Sequence, residues 1–351
     1  MRVLKIIVAA LLIAALSGAL VLGYELVDRP ITKRSHELSR EEATKRINKL
    51  DTTNPFTGDD PLHILLFGID KTATTDMTEQ GNPTRSDVIM LVTIDPVTKR
   101  AQLLSLPRDT YVDIEGHQGK TKLGHAYAYG GEKLAEETVE SFLDVKIDYY
   151  ATVDYNAVER LVDAVGGIEV DIPFDYSYED TYVVPNLHID FEKGKQKLDG
   201  ADAVRYLRIR KIYEDQDIDR IQVQQRFIMQ LFDKLKRPMM ILKIPELIDI
   251  ALDNIETNLT YGQIAYLAKM GLDMERENIQ TDTLVGDNKR IGSIDYYIVD
   301  QASAREQVRR FAEGKIGYYD EIQEQKKANQ DNSETNQEKS DADDTNDSTN
   351  E

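Results

Sequence analysis

Charged side chains stand beside three apolar segments of the chain, where a purely structural role would not require them. Asp70 directly follows the apolar run Leu62–Ile69, and Asp87 begins the next such run. Five arginines accompany these two carboxylates, namely Arg85, Arg108, Arg208, Arg210 and Arg220. Guanidinium groups bind phosphate through paired hydrogen bonds, and carboxylates near a phosphate commonly hold Mg²⁺. These residue types indicate a site for a metal-bound pyrophosphate.

For any one of these residues, the alternative is an ordinary ion pair that caps the end of a strand. The whole set favours a ligand site, because α/β sheets bind their ligands at the ends of strands. This interpretation requires that the three apolar segments be neighbouring strands, so that their charged ends meet at one edge of a sheet.

The elements that must position these residues can be predicted from the pattern of apolar residues. Two near-continuous apolar runs, Leu62–Ile69 and Asp87–Ile94, are typical of buried strands. A turn at residues 95–98 predicts an antiparallel hairpin with a third strand, Arg100–Leu106. Four helices are predicted. The first covers 131–143, and the second begins after a cap at Asp154. The third begins at 200 and carries Arg205, Arg208 and Arg210, and the fourth covers 217–235.

Further elements are predicted between and after these helices. A strand is expected over 145–153 and another over 168–172, and a strand–strand–helix unit over 278–313. Strands interleaved with helices predict an α/β fold, with a central mixed sheet flanked by helices on both faces.

Composition excludes several functional classes. The 351 residues contain no cysteine, so disulfides, thiolate zinc sites and a cysteine nucleophile are absent. No Gly-x-Ser-x-Gly sequence occurs, and the run Gly116–Thr121 lacks the glycine spacing of a P-loop. The formal net charge is −20. Because nucleic-acid binding needs a basic face, a chain this acidic is a poor candidate for it.

The N-terminus predicts a membrane anchor. Residues 6–23 are uncharged and nearly all apolar, a length that just spans a bilayer as a helix. Arg2 and Lys5 precede this segment, so residues 1–5 are expected in the cytoplasm and the remainder outside the cell membrane. The alternative is a cleaved signal peptide, which would also export the chain.

The remaining chain divides into a stalk at 24–60, a single extracytoplasmic domain at 61–319 and a tail at 320–351. The tail holds eleven acidic and three basic residues and few apolar ones. Such a segment cannot bury enough apolar surface to offset the entropy of ordering it, so it is predicted to be disordered.

Several blocks of the sequence resemble the LytR-CpsA-Psr family of cell-wall transferases. In chain order they read GIDK, TRSDVIMLVTIDPVTKRAQLLSLPRDTYV, KLGHAYAYGG, IDYYATVDYNAVERLVDAVGGIEVDIP, LDGADAVRYLRIR and DIDRIQVQQR. The likeness covers roughly residues 62–232. Agreement of separate blocks in order and spacing makes the resemblance specific.

The resemblance implies a function. Members of this family transfer an anionic glycopolymer, such as teichoic acid or capsule, from a polyprenyl-pyrophosphate carrier to peptidoglycan with Mg²⁺. On this chain, Asp70 and Asp87 would hold the metal. The pyrophosphate would contact Arg85, Arg108, Arg208, Arg210, Arg220, Gln224 and Lys122. The polyprenyl chain would enter an apolar tunnel, for which Phe227 and Leu231 are candidate lining residues or plain core, and Asp87 is the candidate general base.

The sequence departs from the family pattern at a few positions. Gly124 stands where the family often has Asn, Asp219 precedes Arg220 where the family has Gly, and Val223 replaces an arginine. Two other functions stay open. One is a polyprenyl-phosphate-binding scaffold without catalysis, and the other is an envelope regulator, since family members have been labelled transcriptional attenuators.

Overall fold

The computed structural model describes most of the predicted domain. The described residues are 54–56, 60–69, 86–180, 187–209, 216–237, 240, 243, 246–247, 250, 254–313, 315, 319 and 321–322. The predicted anchor lies outside them, as do nearly all of the predicted stalk and tail. No helix among the described residues is long and apolar enough to cross a membrane.

Three antiparallel strands form the centre of the fold, as the apolar runs predict. They are β1 (Leu62–Ile69), β2 (Ser86–Asp95) and β3 (Arg100–Leu106). The turn between β2 and β3 is closed by Asp95, whose carboxylate accepts from the backbone N–H of Val97 at 2.8 Å. The predicted hairpin is therefore confirmed.

Three more strands extend this sheet on both sides. Strand β6 (Tyr149–Val153) runs parallel to β1, and β11 (Ile255–Thr257) adds antiparallel to β6. On the other side, β12 (Ile279–Thr283) runs parallel to β3. The strand order is β11-β6-β1-β2-β3-β12, so the central sheet is mixed, as predicted.

Helices cover both faces of the sheet because the side chains of its strands alternate between two cores. On one face lie α1 (Gly124–Leu143) and α6 (Gln301–Ala312), against a core that includes Leu65, Leu91 and Leu104. On the other lie α2 (Tyr155–Ala164), α3 (Gly200–Leu207), α4 (Gln216–Leu235) and α5 (Tyr261–Asp273), against a core that includes Leu66, Met90 and Leu103. Phe227 and Leu231 of α4 are fully buried in this second core.

The other strands pair two by two outside the central sheet. They are β4 (Tyr111–Asp113) with β5 (Lys120–Lys122), β7 (Ile168–Ile172) with β10 (Gly194–Leu198), β8 (Tyr176–Asp180) with β9 (Leu187–Phe191), and β13 (Asp287–Ile291) with β14 (Ile294–Ile298). A short 3-10 turn, Arg276–Asn278, precedes β12.

Three predicted boundaries were wrong. Helix α1 begins at Gly124 rather than at 131, because the glycine pair at 130–131 kinks the helix instead of starting it. Strand β6 begins at Tyr149 rather than at 145. Helix α3 ends at Leu207, so Arg208 is its C-cap residue and lies just outside the helix.

Candidate active site

The ends of the three predicted central strands meet at one edge of the sheet. In the ladder Ile69, which precedes Asp70, is paired with Ser86, which precedes Asp87. The next pairing sets Ile89 against Leu106, two residues before Arg108. The carboxyl ends of β1, β3, β6 and β12 and the amino end of β2 therefore share this edge. The expectation that the three strands are neighbours is confirmed.

A small pocket at this edge brings three of the predicted site residues together. Arg108 follows β3, whereas Arg220 and Gln224 lie one helical turn apart on α4 and so face the same way. Apolar groups from β2, β3 and α4 complete the lining, together with Ser105. Arg220 is 4% exposed and Gln224 is 1% exposed.

The Arg220 guanidinium and the amide nitrogen of Gln224 are buried hydrogen-bond donors, a lining that suits an anion. Guanidinium groups lose much of their hydration when they are buried, and a negative partner offsets this loss. The side-chain amide nitrogen of Gln224 is also buried, with no hydrogen-bond partner among the described residues. An unmade hydrogen bond of this kind costs about 1–3 kcal/mol. A phosphate oxygen in the pocket would accept from Gln224 and pair with the arginines.

The neighbouring Gln225 has a different role. The two protons of its amide nitrogen are shared among three acceptors: Ser105 Oγ at 3.0 Å, the carbonyl oxygen of Asp282 at 2.9 Å and Thr283 Oγ1 at 3.2 Å. These bonds tie α4 to β3 and β12, so that Arg220 and Gln224 keep a fixed position relative to Arg108. The first glutamine of the pair lines the pocket and the second holds the helix in place.

Lys122 lies beside the pocket rather than in its lining. Its ammonium is 3.1 Å from Asp109 Oδ1, and the same oxygen lies 3.4 Å from Arg108 Nε. The Lys122 ammonium also lies 5.7 Å from the centre of the Tyr296 ring. Asp109 therefore joins Lys122 to Arg108 and helps to orient both cations. Sequence reasoning missed this role, although Asp109 directly follows Arg108.

Arg208 lies farther along the same edge, next to β6. Its guanidinium carbon is 5.1 Å from the centre of the Tyr155 ring, a distance at which a cation is attracted to an aromatic face. Tyr155 begins α2 directly after β6. Arg208 does not line the pocket that contains Arg108. Tyr155 was also missed, because no local pattern relates it to Arg208.

Gly124 explains one departure from the family pattern. Its backbone N–H donates to the carbonyl of Arg108 at 2.8 Å. A Cβ at this position would lie 2.9 Å from the backbone oxygen of Ser86 and 3.2 Å from Arg108 Cβ. Because backbone atoms cannot easily move aside, the close approach of α1 to the site requires glycine in this chain.

The other predicted site residues lie partly or wholly outside the described part of the chain. Asp70, Arg85 and Arg210 lie outside the described residues, and so does the side chain of Asp87, whose backbone belongs to β2. Within the described part of the chain, no group of three or more His, Asp or Glu side chains could hold a metal ion. Paired carboxylates at two adjacent strand ends would suit Mg²⁺, which prefers oxygen ligands. The metal role of Asp70 and Asp87 stays a prediction.

The chain is similar in sequence to known cell-wall transferases. The chain is 34% identical over 261 residues to the polyisoprenyl-teichoic acid–peptidoglycan teichoic acid transferase TagV of Bacillus subtilis, covering 74% of this chain and 65% of TagV. It is 32% identical to the TagU transferase of Bacillus licheniformis, covering 75% of this chain and 80% of TagU.

Solved structures show the same fold. The crystal structure of B. subtilis TagV superposes with a TM-score of 0.62 at 33% identity, covering 74% of this chain and 98% of that one. A structure of TagT bound to LIIa-WTA superposes with a TM-score of 0.54 at 26% identity, covering 75% of this chain and 94% of that one. The sequence profile of the LytR_cpsA_psr family matches residues 29–313. With this match over most of its length, the chain belongs to the LytR_cpsA_psr family.

Proposed function

We propose that this protein transfers a teichoic-acid-type glycopolymer from a polyisoprenyl-pyrophosphate carrier to peptidoglycan. The observation that carries the proposal is the pocket where Arg108, Arg220 and Gln224 converge, with a buried amide donor that has no partner among the described residues. Relatives that are 34% and 32% identical are named for this reaction. The chain spans 65% of the length of TagV and 80% of the length of TagU.

The reaction exchanges one bond to phosphorus for another. A hydroxyl oxygen of peptidoglycan attacks the phosphorus that carries the polymer and forms a new P–O bond. The bond from that phosphorus to the bridging oxygen of the pyrophosphate breaks, and its electron pair stays on the bridging oxygen. Polyisoprenyl phosphate leaves, and the hydroxyl proton passes to a base, for which Asp87 is the candidate.

The residues of the pocket suit this chemistry because negative charge grows on the leaving phosphate. Arg108 and Arg220 would stabilise that charge, and Gln224 would donate a neutral hydrogen bond to it. Asp109 would keep the Arg108 guanidinium oriented before the substrate arrives. When bound, Mg²⁺ would neutralise further charge on the pyrophosphate, and Asp70 and Asp87 are the residues proposed to hold it.

The proposal includes a place at the outer face of the cell membrane. The carrier is a membrane lipid, so the enzyme must reach it from the membrane surface. Residues 6–23 are proposed as the anchor, with the N-terminus in the cytoplasm. The domain at 61–319 would then face lipid carrier and peptidoglycan together.

The decisive experiment is a transfer assay with the full-length chain in detergent. Purified protein is mixed with Mg²⁺, a polyisoprenyl-pyrophosphate-linked teichoic acid precursor and peptidoglycan, and covalent attachment of polymer is measured. We expect attachment that depends on the protein. Binding of the lipid precursor without any attachment would instead support the scaffold function.

Arg108 provides the matched variants for this assay. Arg108→Ala should lower the transfer rate by about 10²–10³, as is typical when one preorganised charge-stabilising group is lost. Arg108→Lys should restore little of the lost transfer rate, because an ammonium cannot make the paired planar contact with phosphate. Arg276→Ala, at an arginine 47% exposed and 3.6 Å from Asp233, is the control and should transfer normally. If the Arg108 variants melt at the same temperature as the wild type and also transfer polymer at the same rate, this pocket is not the active site.

A further inference from the structure

Tyr155 stands at the same sheet edge as the pocket, two strands away from β2. Strand β6 is paired in parallel with β1 up to Gly68 and Val153, so the chain leaves β6 beside the end of β1. Asp154 then caps α2 by accepting from the N–H of Ala157, and Tyr155 is the first residue of that helix. The fold thus fixes the position of Tyr155 at the site edge.

The ring of Tyr155 is only 5% exposed and belongs to the apolar core beneath α2 and α4. The guanidinium of Arg208 lies against this ring, with 5.1 Å between its carbon and the ring centre. A flat cation against an aromatic ring loses rotational freedom, so the ring presents Arg208 in a restricted set of orientations.

The hydroxyl of Tyr155 is buried, and it has no hydrogen-bond partner among the described residues. A tyrosine whose only task is to fill an apolar core would gain stability from loss of this hydroxyl, since phenylalanine has the same shape. A buried hydroxyl of this kind, next to a guanidinium, points to a ligand that accepts a hydrogen bond.

The surroundings of Tyr155 match one part of the proposed carrier. The residue belongs to the apolar core and also contacts a cation. A polyisoprenyl phosphate has the same two parts, an apolar chain joined to a charged phosphate. Resting on the function proposed above, we propose that Tyr155 and Arg208 form a subsite for the phosphate attached to the lipid chain. The ring orients Arg208, and the hydroxyl donates to a phosphate oxygen.

The test measures binding of geranylgeranyl pyrophosphate to the full-length chain in detergent by titration calorimetry. Tyr155→Phe keeps the ring and removes the hydroxyl, and it should weaken binding roughly tenfold, as expected for one hydrogen bond to a charged group. Tyr155→Leu also removes the ring, and it should weaken binding further.

A double-mutant cycle tells whether the ring acts through Arg208. Tyr155→Leu should weaken binding much less in an Arg208→Ala background than in the wild type, because the residue to be oriented is already gone. Tyr176→Leu removes another buried tyrosine, which is 9% exposed and lies in β8 outside the central sheet, and should lower the melting temperature without changing affinity.

Each result decides the inference. Wild-type affinity in Tyr155→Phe would overturn the hydroxyl contact, even if Tyr155→Leu does not fold. An equal effect of Tyr155→Leu with and without Arg208 would overturn the orienting role. Arg108→Ala separates this inference from the proposed function. If Arg108→Ala weakens binding and the Tyr155 variants do not, only the subsite is wrong, whereas no binding by the wild type would refute both.

Discussion

Two adjacent glutamines of α4 have identical side chains but different roles, one in ligand binding and the other in stability. The buried amide nitrogen of Gln224 has no partner among the described residues, whereas the amide nitrogen of Gln225 shares its two protons among acceptors on β3 and β12. The first side chain therefore costs stability in the absence of ligand, and the second provides it.

We expect Gln224→Leu and Gln225→Leu to differ in the sign of their effect on stability. Gln224→Leu should leave the free energy of unfolding unchanged or raise it by about 1–2 kcal/mol, because it removes an unpaired buried donor, while transfer falls at least about tenfold. Gln225→Leu should lower the free energy of unfolding by about 1–3 kcal/mol, because the buried oxygens that accept from Gln225 would lose their hydrogen-bond donor. Urea unfolding and the transfer assay on both variants measure these effects. A stability loss in Gln224→Leu as large as in Gln225→Leu would contradict the assignment.

At the scale of elements, the site depends on how closely α1 approaches the strand ends. Gly124 N–H donates to the Arg108 carbonyl, and Leu123 N–H donates to the Thr110 carbonyl, each at 2.8 Å. These bonds attach the start of α1 to the segment that carries Arg108. The helix thus acts as a support behind the cation.

Gly124→Ala should disturb this support. Its Cβ would lie 2.9 Å from the Ser86 backbone oxygen, so the helix start must move away and Arg108 must move with it. We expect a lower melting temperature and a loss of transfer larger than the loss of folded protein explains. Gly262→Ala is the control, since a Cβ there meets nothing within 4 Å and lies in the first turn of α5. This control should keep its activity and melt at the same temperature or higher. Normal transfer by Gly124→Ala would show that the contact is not needed.

The elements also show what the sequence could and could not predict. Strands β1, β2 and β3 were predicted because their apolar runs are long and are separated by a recognisable turn. The site edge followed from the charged residues at their ends. The parallel pairing of β12 with β3 could not be predicted, because no local pattern specifies a partner so distant in the chain. The contact of Tyr155 with Arg208 could not be predicted either, because it joins the start of α2 to the end of α3.

At the scale of the whole molecule, the acidic character of the chain affects its stability. The formal net charge is −20, and α1 concentrates part of it in a row of glutamates. Burial, together with the charges of Glu140, Glu132 and Glu137, raises the pKa of Glu136 from 4.5 to about 7. The folded chain therefore holds this proton more tightly than the unfolded chain does.

Stability should fall as the pH rises through this range. The folded form binds more protons between about pH 4.5 and 7, so the Glu136 contribution to the free energy of unfolding decreases across that interval and stays low above it. Glu136→Gln should raise the free energy of unfolding at pH 8 by roughly 1 kcal/mol, after allowance for solvent screening of a half-exposed carboxylate. The gain should vanish near pH 4. Glu115→Gln, at an exposed carboxylate between β4 and β5 that is not among the charges acting on Glu136, is the control and should not change the pH profile in this way. A gain for Glu136→Gln that is equal at both pH values would refute this explanation.

The pairing of β12 with β3 also has a consequence for the order of folding. It joins Ile279 to Ala101 across most of the domain, and such distant pairings are slow because a long loop must close first. Gln225 bonds α4 to β12, so Arg220 and Gln224 reach their final register only after this closure. A partly folded chain in which β12 has not yet paired therefore contains Arg220 and Gln224 but does not hold them in the position that binds a diphosphate. Pulse-labelling hydrogen exchange during refolding should record β1 and β2 as protected before β12, and the anion site as one of the last parts of the molecule to mature.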